Sequence, residues 1–119
     1  MTRRTAMRIA AALGFLGVAL GAFGAHGLKR WLGHNGTTEI WEKAVFYQFI
    51  HTVVLLVLAQ KQPVPGRAFV FFTAGIVIFS GSLYLLALTN VLWLGAITPV
   101  GGLSLLAGWA TLFLAAEQG

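Results

Sequence analysis

The chain has 119 residues, 58% of them hydrophobic and only 9% charged, with a net charge of +5 and no cysteine. An average soluble domain is about 25% charged, so this composition excludes an ordinary soluble globule, and the lack of cysteine excludes disulfides, thiol nucleophiles and Cys-ligated metal sites. The cations flank apolar runs and are not interleaved with aromatics on one surface, which excludes a nucleic-acid interface as well.

The charged residues are Arg3, Arg4, Arg8, Lys29, Arg30, Glu39, Glu42, Lys43, Lys61, Arg67 and Glu117. Between them lie four nearly uncharged runs of about 20 residues, the length a helix needs to cross a bilayer. A soluble helix must show one polar face to water, and these do not. The pattern predicts an all-α integral membrane protein: a single transmembrane four-helix bundle over residues 1–119.

The first helix is expected over about 9–27. A cleaved signal peptide, with a small-residue site at Ala22-Phe23-Gly24, is the competing reading. The stripe Ala10, Gly14, Gly17, Gly21 and Gly24 favours a retained, packed helix, since steps of four and three stay on one face. Residues 28–43 form the longest loop. Within it, residues 28–32 suit a short interfacial turn, and Thr37 or Thr38 suits the cap of a helix opening at Glu39. That helix leads into the second span, 44–60, which Pro63-Val64-Pro65-Gly66 terminates. Ala44, Gln48, His51, Thr52, Leu55 and Ala59 share a face directed inward, and Phe46, Phe49, Ile50, Val53 and Val57 share one directed at lipid.

The third span is expected over 68–88. Thr73, Ser80, Tyr84 and Ala87 align there, and Ser82 points the other way. Thr89-Asn90 opens the next connection, and Pro99 suits the first turn of the fourth span, 98–116. That span carries a second small-residue stripe, Gly101, Ser104, Gly108, Thr111 and Ala115. The two stripes predict close packing, on each other or on neighbouring helices. Trp31, Trp41 and Trp93 fall where an aromatic belt would lie. With the termini inside, the inner side has Arg3, Arg4, Arg8, Lys61 and Arg67 and the outer side Lys29, Arg30 and Lys43, so the positive-inside rule predicts cytoplasmic termini.

His26, Gln48, His51, Ser80, Ser82, Tyr84 and Thr98 are all expected in the membrane half nearer the long loop. An ionisable residue inside a membrane is a functional candidate by default, and His51 is the foremost. Its alternative role is an interhelical hydrogen bond to Tyr84 or Ser80, worth about 1 kcal/mol. His34, in a glycine-rich loop, reads as solvated, and Glu42 as an ion-pair partner for Lys43, Lys29 or Arg30. No HxxxH or HExxH spacing appears, so no metal or other cofactor is expected. No nucleophile–base set or phosphate loop appears, so no enzyme is expected.

The segments Gly21-Ala22-Phe23-Gly24-Ala25-His26-Gly27-Leu28 and Trp41-Glu42-Lys43-Ala44-Val45, with Tyr47, Gln48 and His51, resemble the YgdD/YwdK-type family of small bacterial membrane proteins, a domain of unknown function (number 423). Phe79-Ser80-Gly81-Ser82-Leu83-Tyr84 and Gly95-Ala96-Ile97-Thr98-Pro99-Val100-Gly101-Gly102 extend the resemblance in order along nearly the whole chain. It implies four transmembrane helices, a retained first helix and the bacterial inner membrane, and it carries over no biochemical activity.

Two functions from different classes follow. One is binding or passage of a small molecule, lipid or ion through a polar pocket in the outer half, lined by His26, Gln48, His51, Ser80, Tyr84 and Thr98. The other is a non-catalytic scaffold or assembly protein whose motifs serve packing alone. The expected partners are membrane lipids, a second copy of the chain or another membrane protein. Transport meets an objection, since nothing polar continues across the inner half.

Overall fold

The computed structural model describes residues 1–116. Helix α1 spans Arg3–Ala25, α2 Lys29–Asn35, α3 Thr38–Ala59, α4 Gly66–Thr89 and α5 Thr98–Ala115, with a 3-10 segment over Leu92–Ala96 before α5. Four of these elements, α1, α3, α4 and α5 with its 3-10 lead-in, are long and apolar enough to cross a membrane. Glu117 lies outside the described residues.

One helix begins earlier than the charge pattern suggests. Helix α1 starts at Arg3 and not near Ile9, because Thr2 caps it by accepting the Thr5 N–H at 3.1 Å. Helix α3 starts at Thr38, one residue before the expected opening at Glu39, and runs without a break into the second span. A change from charged to apolar residues marks the edge of hydrocarbon, and a helix is free to continue into the polar zone. Arg3 uses that extension: it donates to Ala59 O and Gln60 Oε1, both at 3.4 Å. A cation is favoured there, at the carbonyl end of α3.

Thr37 holds the N-cap position of α3 without making the capping bond. Its hydroxyl donates instead to Ala87 O at 2.7 Å. Asn35 Nδ2 donates to the same carbonyl at 3.1 Å, and Trp31 Nε1 to Leu88 O at 2.9 Å. The last carbonyls of a helix lack partners within it. Helix α2 therefore acts as a polar cap for α4, held in place by the left-handed Gly36 at its own end (φ 69°).

Helices α3 and α4 form the inner pair, with α1 packed on α3 and α5 packed on α4. The two glycine stripes thus meet neighbouring helices and not one another. A Cβ on Gly14, Gly17 or Gly21 would lie 3.1–3.6 Å from Thr52, Phe49 and Val45 of α3. At Gly24 it would overlap the indole of Trp41, which is buried at 2% exposure and donates to Leu20 O at 2.9 Å. Trp41 is therefore a core residue and no part of an interfacial belt, whereas Trp31 and Trp93 are exposed. On the other side, a Cβ on Gly101 would come within 2.8 Å of Phe79 Cα, and one on Gly108 within 2.8 Å of the Phe72 ring. Ser104 donates to Phe71 O at 2.8 Å, but Thr111 turns back onto its own helix at Ala107 O.

The sided reading of α3 holds with one exception. Its inward residues are buried, and Phe46, Ile50, Val53 and Val57 are exposed. Phe49 is half-buried because it fills the space that Gly17 leaves.

The close backbone approach at Gly101 predicts a sharp contrast. Gly101→Ala should destabilise the protein in detergent by about 1–3 kcal/mol, since the Phe79 backbone cannot move aside cheaply. Gly81→Ala, whose Cβ meets nothing within 4 Å, should be neutral or mildly stabilising. Equal melting temperatures for the two variants would refute the packing argument.

Candidate functional site

The polar side chains of the spans form three separate groups. Gln48, 3% exposed, sits where α1, α3 and α4 meet. Its Nε2 donates to Leu13 O of α1 at 2.8 Å, and its Oε1 accepts from Tyr84 of α4 at 2.6 Å. The Tyr84 ring packs edge-on against Trp41 with centroids 4.7 Å apart. Nearby, Ser80 of α4 donates to Ala44 O of α3 at 2.7 Å. One carboxamide thus ties three helices together.

Ser82 faces the opposite way from Ser80. It shares a 2.6 Å hydrogen bond with Thr98 of α5 and donates to Phe79 O of its own helix at 3.0 Å. This second group joins α4 to α5.

His51 forms the third group, with Trp109 of α5. The ring Nδ1 contacts Tyr47 O, one turn back in α3, at 2.8 Å. The Trp109 indole N–H donates to Nε2 at 3.1 Å. A carbonyl can only accept and an indole N–H can only donate. The geometry therefore specifies a neutral ring with its proton on Nδ1, and it leaves neither nitrogen free. Phe72 and Trp109 enclose the ring, with centroids 5.8 and 5.9 Å from it. The expected bond from His51 to Tyr84 or Ser80 does not form, because both of those hydroxyls are engaged elsewhere.

In depth His51 sits near the middle of the apolar stretch that opens at Ala44, beside Phe72 in the first third of α4. His26 is exposed at the end of α1 and joins none of the three groups. The six residues expected to line one pocket are thus distributed over separate places. Among the described residues, no three His, Asp or Glu side chains converge as metal ligands would.

Cavities lie at the surface of the bundle. A groove of about 660 Å³ runs between α3 and α5, with His51 and Trp109 in its wall alongside Tyr47, Phe79, Gly102 and Leu106. A second of about 420 Å³ lies between α1 and α3. Both are lined chiefly by apolar side chains that are exposed in the isolated chain, which in a bilayer means that they face lipid.

Trp109 is the residue that sequence reasoning passed over. Trp109 carried a signal, as the one tryptophan far from either end of its span. Thr52 was placed on the inward face, but its hydroxyl is buried without a hydrogen-bond partner among the described residues. No sequence pattern marks that.

Residues 20–102 match the family described as "Protein of unknown function (DUF423)". The chain is 42% identical over 121 residues to the UPF0382 inner membrane protein YgdD of Escherichia coli K12, covering 98% of this chain and 92% of that protein. It is 44% identical over 104 residues to a UPF0382 membrane protein of Staphylococcus haemolyticus, covering 83% and 84% of the two chains. A relative in Staphylococcus epidermidis is 47% identical over 105 residues, with 84% of each chain covered. No solved structure matches.

Proposed function

The chain belongs to the DUF423 (UPF0382) family of membrane proteins, and we propose that it is a non-catalytic binding protein of the inner membrane that takes an apolar molecule from the bilayer into the groove between α3 and α5. The observation that carries this reading is the division of labour among its side chains. Apart from the Thr52 and Tyr47 hydroxyls, the polar groups within the spans are engaged with one another or with backbone carbonyls. The groove that remains open between α3 and α5 is chiefly apolar. Ion passage needs a continuous polar lining, and hydrolytic or transfer chemistry needs an available nucleophile or base. His51 offers neither while Tyr47 O and Trp109 hold its two nitrogens.

An apolar molecule would find a wall of Ile50, Phe79, Leu103 and Leu106, flanked by the rings of Tyr47 and Trp109. Binding sites of this kind are mostly apolar with a few polar groups that set orientation. No described residue accepts the Tyr47 hydroxyl hydrogen, so that group is available to a ligand carbonyl or ester.

The scaffold reading draws on a different observation. Helices α1 and α5 each bury a small share of their surface, and Phe15 and Phe113 stand 75% and 77% exposed. Lipid covers such faces as well as a second copy or another membrane protein would. Orientation with both termini in the cytoplasm rests on the five cations at residues 3, 4, 8, 61 and 67 against three at 29, 30 and 43.

Native mass spectrometry of gently purified protein tests the binding role. Gly102→Leu places a side chain in the groove where a Cβ would meet only Phe79, at 3.9 Å. Wild-type protein should carry a discrete small molecule or lipid, and Gly102→Leu should lose it with its melting temperature kept. A bare wild-type bundle that purifies with another protein would transfer the case to the scaffold. Orientation is tested in intact cells, where the lack of native cysteine gives a clean background. His34→Cys should react with a membrane-impermeant maleimide and Gln62→Cys only after lysis; the reverse pattern would invert the topology.

A further inference from the structure

The groove between α1 and α3 ends differently from the one beside His51. Within the apolar stretch it is lined by Gly21, Val45, Phe46, Phe49 and Ile50, and at the long-loop end by Thr38 and Glu42. It exists because Gly21 has no side chain to fill it. Glu42 is exposed and belongs to the polar opening turns of α3, Thr38 to Lys43, ahead of the apolar stretch from Ala44 onward. The mouth therefore lies at the level of lipid headgroups and the floor among acyl chains.

The expected ion pair of Glu42 with Lys43, Lys29 or Arg30 does not form: among the described residues no cationic nitrogen lies within 4.0 Å of its carboxylate. A carboxylate at the opening of an apolar groove thus makes no direct ion pair within the protein. Lys29 and Arg30 are exposed at the start of α2, the helix that contributes Leu32 to the same groove.

We propose that this groove binds one phospholipid bearing a primary amine, with an acyl chain along Gly21 and Phe49 and the ammonium on Glu42. Charge complementarity selects this occupant. A zwitterionic headgroup brings a cation for Glu42 and a phosphate for the basic residues of α2. An anionic lipid without an amine would set like charge against Glu42. A trimethylammonium headgroup has no N–H to donate, so it forgoes the charge-assisted hydrogen bond that a primary ammonium makes. The site is separate in its chemistry from the groove beside His51, which Glu42 does not line.

The test is a native mass-spectrometry titration of the full chain in detergent with phosphatidylethanolamine, phosphatidylcholine and phosphatidylglycerol of identical acyl chains. Wild type should bind the ethanolamine lipid roughly tenfold more tightly than the other two, about what one charge-assisted hydrogen bond supplies. Glu42→Gln should abolish the preference at unchanged melting temperature, and Glu42→Lys should turn it toward phosphatidylglycerol, a gain that misfolding cannot mimic. Equal binding of all three lipids by wild type, or an ethanolamine preference that survives both substitutions, would overturn the proposal. Either result leaves the reading of the α3–α5 groove standing or falling on its own test.

Discussion

Hydrocarbon offers no hydrogen-bond partner, so a polar group carried into a membrane must find one within the protein. That constraint organises this structure. Gln48 answers it by joining three helices, Ser80 and Ser82 by reaching α3 and α5 respectively, and His51 by taking the Trp109 indole. The bonds form only because the helices lie close, and they lie close because glycine lines the outer pair. The stripe on α1 lets Trp41, Phe49 and Val45 of α3 sink against its backbone, and Gly101 brings α5 onto the backbone of α4. Since burying apolar surface drives little between helices in lipid, close contact and polar pairing are what remain to hold the bundle.

The same constraint shapes function. Residues that would attract attention as a site by type alone are already engaged, Gln48 with Tyr84 and His51 with Trp109 and Tyr47 O. What the fold leaves open are lateral, apolar grooves on either side of α3, reached from the bilayer. A protein built this way is suited to molecules already dissolved in the membrane. The two grooves differ in what they offer: aromatic rings and a tyrosine hydroxyl between α3 and α5, a carboxylate at the headgroup level between α1 and α3.

Much of this could be read from the chain. The spans follow from the spacing of charge, and the inward face of α3 from residues recurring every three or four positions, since burial in a bundle leaves that period in the sequence. The opposed directions of Ser80 and Ser82 follow from the same geometry. What could not be read depends on rotamers and on how far one helix slides along another. Gln48 and Tyr84 meet only because both are long enough to reach across their offset. Trp41 looks interfacial by position and becomes core because Gly24 leaves room for its indole. Asn35, Trp31 and Thr37 lie in a loop by composition, yet they serve the carbonyl end of α4.

The claim on which the account turns is that the buried polar residues act as ties between helices, and the contact of Tyr84 with Gln48 is its clearest instance. A double-mutant cycle of Tyr84→Phe and Gln48→Leu, read as unfolding free energy in detergent, measures that tie directly. The account predicts that each single change destabilises the bundle and that the pair shows a coupling of at least about 0.6 kcal/mol, the average for hydrogen bonds between membrane helices, whose maximum is about 1.7 kcal/mol. Strictly additive effects, or single variants as stable as wild type, would contradict it and return Gln48 and Tyr84 to the status of a free polar site.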